Sequence, residues 1–208
     1  MARLVRDYSL GARAVGHSGA SNTGSLPKQN RHRSQLLATA SERIMMMSGL
    51  SFRVAEREDC EEILLALRFL AESLGVPARL KSTREDIETA GFGPRRDFSV
   101  MLAEVDGKIA AICLYFPMFS SWMGKPGLYI QDLFVHEEFR SARIGEKLLR
   151  HVAQAAGNDG YHYLRLTVDH GNQAGARFYL RHGFEPANDE TSYRLYGPAF
   201  EKFCRSGN

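Results

Sequence analysis

The chain has 208 residues, of which 44 % are hydrophobic, so one globular domain with additional segments is expected. It contains no uninterrupted run of about 18 apolar residues, which argues against a transmembrane helix and a membrane partner. The net charge of +3 arises in residues 1–50, where seven Lys and Arg face two acidic residues. Because a nucleic-acid-binding domain usually carries its basic excess on the folded part, no nucleic-acid partner is expected.

The cysteine pattern gives no sign of a metal or redox site. Cys60, Cys113 and Cys204 are widely separated and odd in number, without a CxxC spacing. Cys113 lies within the apolar run 109–116 and is expected to be a small buried hydrophobe. A reducing, cytoplasmic location and no metal cofactor follow as predictions.

The first 49 residues form a separate segment. They lack hydrophobic periodicity and are rich in Ser, Gly, Ala, Asn and Arg, so residues 1–49 are predicted to be a disordered basic tail. Three interpretations stay open: a transit peptide, a translation start among Met45, Met46 and Met47, or a segment foreign to the native protein. The folded domain is predicted at 50–200, with a C-terminal tail at 201–208.

From Leu50 onward, strand and helix patterns alternate. Apolar residues at helical spacing predict helices, Gly75 and Gly183 predict helix ends, and Asp106-Gly107 predicts a hairpin turn. A capping-box spacing between Ser82 and Glu85 predicts the start of a second short helix. The predicted strands are Leu50–Ala55, Phe98–Val105, Lys108–Phe116, Gly127–Val135, Tyr161–Val168, Phe184–Pro186 and Ser192–Tyr196. The other predicted helices are Asp59–Leu74, Gly145–Ala156 and Ala174–His182, and an extended loop is expected between Pro117 and Pro126. This order predicts an α/β fold with a mixed sheet covered by helices.

The segment from Tyr129 to Leu149 carries the strongest chemical signal. It is a predicted strand, a tight loop and a helix, and a helix start offers backbone N–H groups and a positive dipole end to a pyrophosphate. Small residues let the backbone approach the anion, Arg140 adds a positive charge, and Ser141 adds a hydroxyl donor. An ordinary connection with solvent-facing charges is the alternative.

The same segment resembles the acetyl-CoA loop of the GNAT acetyltransferase superfamily, whose pattern is Arg or Gln, two residues, Gly, one residue, then Gly or Ala. Arg140 and Gly145 match its ends, and Arg143 replaces its middle glycine. Leu133-Phe-Val135 resembles the strand that pairs with the pantetheine arm. Residues 172–184 resemble the family segment that runs from Asn through Phe-Tyr to Gly-Phe. Within the superfamily, the chain most resembles the diamine (spermidine/spermine) acetyltransferase-like branch.

The resemblance implies a GNAT fold, with a mixed, mostly antiparallel central sheet of six to seven strands flanked by about four helices. It implies that acetyl-CoA is the co-substrate and that a small-molecule amine is the acceptor. A homodimer is one assembly that the resemblance allows. The residues that it places at the cofactor are Leu133, Phe134, Val135, Arg140, Ser141, Ala142, Arg143, Ile144, Gly145, Glu146, Asn172, Ala174 and Arg177.

Two residues are predicted to act in catalysis. The resemblance places Tyr179 as the acid that protonates the CoA sulfur, whereas an amphipathic packing role is its alternative. Asp132 is either a base acting through water, a charge that attracts the ammonium, or a structural acid at a strand break. Gln131 stands where the diamine branch has an acid and cannot act as a base. Gln131, Asp132 and Trp122 are the predicted substrate contacts.

Arg143 raises a question about the backbone. A loop that demanded a positive φ there would strain a non-glycine residue by roughly 1–2 kcal/mol. We expect instead an ordinary φ, with the guanidinium adding attraction for a diphosphate.

Three functions follow: acetylation of a small primary amine, acetylation of a protein N-terminus or lysine, or a degenerate CoA-binding sensor. The extended 117–126 loop favours the first over the second.

Overall fold

The computed structural model describes residues 49–140 and 142–205, so the predictions for residues 1–48 and for Ser141 lie outside the described part of the chain. The chain divides after Ala176 into two compact units. The strands are β1 (Leu50–Val54), β2 (Ser99–Val105), β3 (Lys108–Ser120), β4 (Lys125–Val135) and β5 (Leu164–Arg165). The helices are α1 (Cys60–Ser73), α2 (Arg84–Phe92), α3 (Ile144–Asn158), α4 (Gln173–Arg181) and α5 (Pro198–Arg205).

The first unit contains one five-stranded sheet in the order β1-β2-β3-β4-β5. The first four strands are antiparallel, and β5 pairs parallel to β4. The mixed, mostly antiparallel sheet is confirmed. The turn at Asp106-Gly107 is also as predicted, since both residues have a positive φ, of 51° and 76°.

Helices cover both faces of this sheet. α1 and α2 pack on one face, where Ile63, Leu67 and Ile87 join Leu102, Ile112 and Phe134 in the core. α3 contacts β2, β3 and β4, and it does so on the opposite face, where Phe52 of β1 stacks on His151 at 4.7 Å. The buried cysteine Cys113 lies on the α3 face, where burial raises the pKa of its thiol.

The predicted count of six to seven strands is not confirmed, because the described residues form five. Residues 184–186 and 192–196 are irregular, and Tyr193 is 89 % exposed. Alternation alone does not make a strand, because a strand needs a neighbour for its backbone hydrogen bonds. The strand predicted from Tyr161 shrinks to the two residues of β5.

Five helices are described where about four were expected, and the extra one is α5, within residues predicted as the domain end and tail.

The capping box of α2 lies one residue later than predicted: the Thr83 hydroxyl accepts from the Asp86 N–H at 3.2 Å, and Asp86 accepts from the Thr83 N–H at 2.8 Å. The expected 117–126 loop is instead the end of a long hairpin, in which β3 and β4 pair up to Ser120 and Lys125.

Candidate functional site

A β-bulge interrupts β4 in the middle of the predicted site. Leu114 pairs with Asp132 and the next residue, Tyr115, pairs with Ile130, so Gln131 is an extra residue in β4. A bulge bends the strand and re-aims its side chains, and bulges are common beside active sites. β4 is therefore irregular beside Asp132, although it continues as one strand to Val135.

β4 and β5 separate just before this bulge. Their ladder joins Leu128 to Leu164 and Tyr129 to Arg165, and no further pair of described residues extends it. Because β4 continues to Val135, the ladder with β5 ends before the predicted pantetheine strand, and we call the region on the β5 side of Leu133–Val135 the gap. Leu133 and Phe134 are almost fully buried, so they can offer a ligand in this gap only their backbone groups.

One wall of the gap lies on the α1 side of the sheet. The strand register puts Asp132 and Tyr129 on that side, together with Phe116. The rings of Phe116 and Tyr129 stack with centroids 5.1 Å apart, and the Tyr129 hydroxyl donates to Thr167 Oγ1 at 2.9 Å. Sequence analysis missed Tyr129 and Thr167, since nothing local in the sequence shows that β4 and the segment after β5 are neighbours.

The connection between β4 and α3 contains an arginine whose side chain is hydrogen-bonded to the end of the strand. The Arg140 Nε donates to the carbonyl oxygen of Val135 at 3.3 Å. Its side chain also lines a recess of about 520 Å³ with Phe69, Glu72 and His136. Burial lowers the pKa of His136, whose ring meets Phe134 edge-on at 4.9 Å.

Arg143 corrects a prediction about the loop. Its backbone is left-handed, with φ 56° and ψ 24°, and it is the residue before the first turn of α3. The expectation of an ordinary φ at this position is therefore wrong. The chain must turn sharply here to enter α3, which is why a glycine suits the position and an arginine is strained there.

Gly145 lets the start of α3 pack closely on β4. A Cβ at this position would lie 3.1 Å from Val135 Cγ2, so a side chain here would crowd the strand, and the glycine favours close helix–strand packing. Ile144 is buried, and the Glu146 carboxylate accepts from Arg150 at 3.2 Å. Both can therefore contact an anion mainly through the N–H groups of the first helical turn.

Asn172 is the N-cap residue of α4. Its side-chain oxygen accepts from the Gly175 N–H at 2.9 Å, and its side chain is buried. A Cβ on Gly175 would lie 2.6 Å from Asn172 Nδ2, so this helix start requires a glycine at that position. Ala174 lies in the same first turn. The resemblance drew attention to Asn172, and an asparagine before a helical pattern could have predicted the cap.

The remaining predicted residues are spread over other parts of the chain. Trp122 lies in the turn between β3 and β4 and is 99 % exposed. Arg177 and Tyr179 belong to α4 in the second unit. Tyr179 is 3 % exposed and meets the rings of Phe178 and Phe184 edge-on, at 5.2 and 5.3 Å.

No group of three or more His, Cys, Asp or Glu side chains in the described residues is arranged to hold a metal ion. No helix among them has the length and apolar character needed to cross a membrane.

Comparison with known proteins identifies relatives over most of the folded part. The model of the acetyltransferase (GNAT) family matches residues 58–184. The thialysine N-epsilon-acetyltransferase of Mus musculus is 27 % identical over 169 residues, which cover 76 % of this chain and 99 % of the relative. The spermidine/spermine N(1)-acetyltransferase-like protein 1 of Homo sapiens is 28 % identical over 157 residues, covering 72 % of this chain and 22 % of that protein.

Solved structures support the fold. An integron cassette protein from the mobile metagenome of V. cholerae superimposes with a TM-score of 0.65 at 20 % identity, over 76 % of this chain and 99 % of the other. A predicted acetyltransferase from Clostridium acetobutylicum, solved with acetyl-CoA, superimposes with a TM-score of 0.60 at 14 % identity, over 70 % of this chain and 96 % of the other. At these identities the likeness establishes the architecture alone.

Proposed function

Since the chain belongs to the GNAT acetyltransferase family and is an acyltransferase, we propose that it moves the acetyl group of acetyl-CoA directly to a primary amine of a small molecule. The observation that carries the proposal is the gap between β4 and β5, which starts at the Gln131 bulge and leads to the first turn of α3. A diamine, a polyamine or an amino-acid-like amine is the proposed acceptor. The named activities of the thialysine and spermidine/spermine relatives support that class.

The residues around the gap fit an acetyl-CoA molecule. The backbone of Leu133 to Val135 lies along the gap for a pantetheine arm, and the N–H groups at the start of α3 suit a pyrophosphate. Gly145 keeps that helix start free of a side chain. Arg143 adds positive charge beside it. Acetyl-CoA would supply the activated thioester.

The chain must then remove a proton from the amine, because an alkyl ammonium has a pKa near ~10. We assign this step to Asp132, which would accept the proton through a water molecule. The same carboxylate would attract the incoming ammonium to the bulge before it is deprotonated. Asp132 shares the α1 face with the stacked rings of Phe116 and Tyr129, which give an apolar wall for the carbon chain of the amine. Backbone N–H groups at the bulge would stabilise negative charge on the thioester oxygen.

Tyr179 is the proposed general acid for the departing sulfur. The proposal comes from its position in the stretch that resembles the family segment, between Asn172 and Gly183-Phe184, and its burial is compatible with a role at a dry site. Removing a positioned acid typically slows a reaction about 10²–10⁴-fold. We therefore expect Tyr179→Phe to lower kcat by about 10²-fold at neutral pH and to remove the basic limb of the pH–rate profile.

A panel of primary amines with acetyl-CoA tests the proposal directly. Tyr196→Phe is the matched control, because Tyr196 is 75 % exposed in the same unit, and it should leave kcat unchanged. Wild-type turnover on small amines supports the proposal. An unchanged pH–rate profile in Tyr179→Phe would remove Tyr179 from the mechanism.

The second candidate is a CoA-binding protein that has lost catalysis, and Arg143 and Gln131 favour it because both depart from the family pattern. Isothermal calorimetry with acetyl-CoA separates the two functions when combined with the amine panel. Tight acetyl-CoA binding without turnover on any amine, peptide N-terminus or lysine side chain would support the sensor and reject the enzyme.

A further inference from the structure

An ion pair connects two segments of the first unit that flank the candidate acceptor site. The Arg79 guanidinium lies 3.7 Å from the Asp169 carboxylate. Arg79 ends a short helical turn, Pro77–Arg79, between α1 and α2, and Asp169 lies in the segment after β5. The contact therefore joins the α1 side of the sheet to the β5 side of the gap.

Asp169 is close to the wall already described. Thr167, whose hydroxyl meets Tyr129, is two residues earlier, so the two Cα atoms are at most about 7 Å apart. Asp132 lies three residues beyond Tyr129, on the β4 side of the same gap. Two carboxylates therefore flank the gap, Asp132 from β4 and Asp169 from the segment that follows β5.

The two partners in this pair are held to different degrees. The Asp169 Oδ1 accepts from the Gly171 N–H at 3.0 Å, and its backbone carbonyl accepts from the Asn172 N–H at 2.8 Å, so the carboxylate is fixed by its own turn. The Arg79 side chain is 62 % exposed. Among the described residues, its one polar contact is the 3.7 Å contact between the guanidinium and Asp169. An exposed ion pair contributes little to stability, so another cation can replace Arg79.

We infer that Asp169 binds the distal ammonium of a dicationic acceptor, and that Arg79 competes with the substrate for this carboxylate. The inference rests on the proposed acetylation of small amines and adds the residue that selects diamines over monoamines. In this arrangement Asp132 interacts with the reacting amine, and Asp169 binds the ammonium at the other end of the substrate.

Steady-state kinetics with two amines of equal length test this role. With 1,5-diaminopentane, Asp169→Asn should raise KM about tenfold, whereas KM for pentylamine should stay within twofold, because pentylamine has no second charge. The asparagine keeps an oxygen for the Gly171 N–H, so the turn is preserved. Asp97→Asn is the control, since Asp97 is also ion-paired, to Arg95 at 2.9 Å, but lies after α2.

Arg79→Met should act in the opposite direction and lower KM for 1,5-diaminopentane about two- to fivefold, with Arg95→Met as its control. An equal KM change for both amines in Asp169→Asn would mark Asp169 as structural and overturn the inference, as would an unchanged diamine KM in both variants. Those outcomes leave the proposed function intact. Wild type that acetylates neither these amines nor others in the panel would overturn both.

Discussion

The region from β4 to α3 and the segment from Phe184 to Arg205 are both rich in apolar and aromatic residues, but they differ in burial. In the first region Leu128, Leu133 and Leu148 are at most 3 % exposed. In the second, Tyr193, Tyr196 and Phe203 are between 73 % and 89 % exposed. A period-two pattern becomes a strand where neighbouring strands and helices bury it, as in β4, and stays irregular where the described residues supply no such neighbour.

The largest expected effect is in the first region, at Gly127 of β4. A Cβ there would lie 2.4 Å from the ring of Tyr163, so Gly127→Ala must displace an aromatic ring or the strand. We expect the free energy of unfolding to fall by about 2 kcal/mol, as is typical of overpacking. Urea denaturation measures this change.

Gly157→Ala is the matched control for Gly127→Ala. Gly157 lies in α3, where a Cβ would meet no atom within 4 Å. Its replacement should stabilise the protein by about 0.5–1 kcal/mol. If Gly127→Ala were as harmless as this control, the close contact between Tyr163 and β4 would not exist in solution.

The next effect concerns the ion pair between β1 and the start of α1. The Arg53 guanidinium binds both oxygens of Asp59, at 2.7 and 2.8 Å, and this hydrogen bonding lowers the pKa of Asp59 below its ordinary value. Asp59→Asn should lower the free energy of unfolding by about 1–2 kcal/mol at pH 7. Glu104 also binds Arg53, at 2.8 Å, and limits the loss.

The pH dependence of this loss has a definite sign. Because the folded-state pKa of Asp59 is depressed, its contribution is complete above the unfolded-state pKa of about 3.9 and disappears as the pH falls through the folded-state value. The stability difference between wild type and Asp59→Asn should therefore vanish in strongly acidic solution. A difference that persisted unchanged to the lowest pH at which both proteins fold would exclude the ionic origin.

Some of the features of the fold and of the candidate site could be predicted from the sequence, and others could not. The hairpin at Asp106-Gly107 and the helix end at Gly75 were predictable, because each depends on a backbone conformation that few residue types adopt. The Arg140–Gly145 loop was found from its resemblance to a family pattern. Thr167 and Asp169 were not predictable, because their proximity to Tyr129 and Arg79 depends on how β4 and β5 separate.

A smaller, stabilising effect is expected at Arg143. The left-handed backbone costs an arginine roughly 1–2 kcal/mol, while glycine loses about 0.5–1 kcal/mol of additional chain entropy on folding. Arg143→Gly should therefore raise the free energy of unfolding by about 0.5–1 kcal/mol while weakening acetyl-CoA binding through the lost charge. Arg143→Lys keeps the charge and the strain, so it should change neither quantity much. A loss of stability in Arg143→Gly would show that the guanidinium contributes more than the backbone strain costs.

The smallest effect on the free energy of unfolding is expected in the exposed segment. It tests whether residues 192–196 are exposed in solution. Tyr193 is 89 % exposed, so Tyr193→Ser removes little buried surface and should change the free energy of unfolding by less than about 0.5 kcal/mol. Thermal and urea denaturation at two protein concentrations measure it. A loss above about 1 kcal/mol that is independent of concentration would mean that residues 192–196 pack on their own chain as the strand that the sequence predicts. A loss that shrinks on dilution would instead place this segment against a second copy, because an intermolecular contact stabilises the wild type only at protein concentrations where the copies associate.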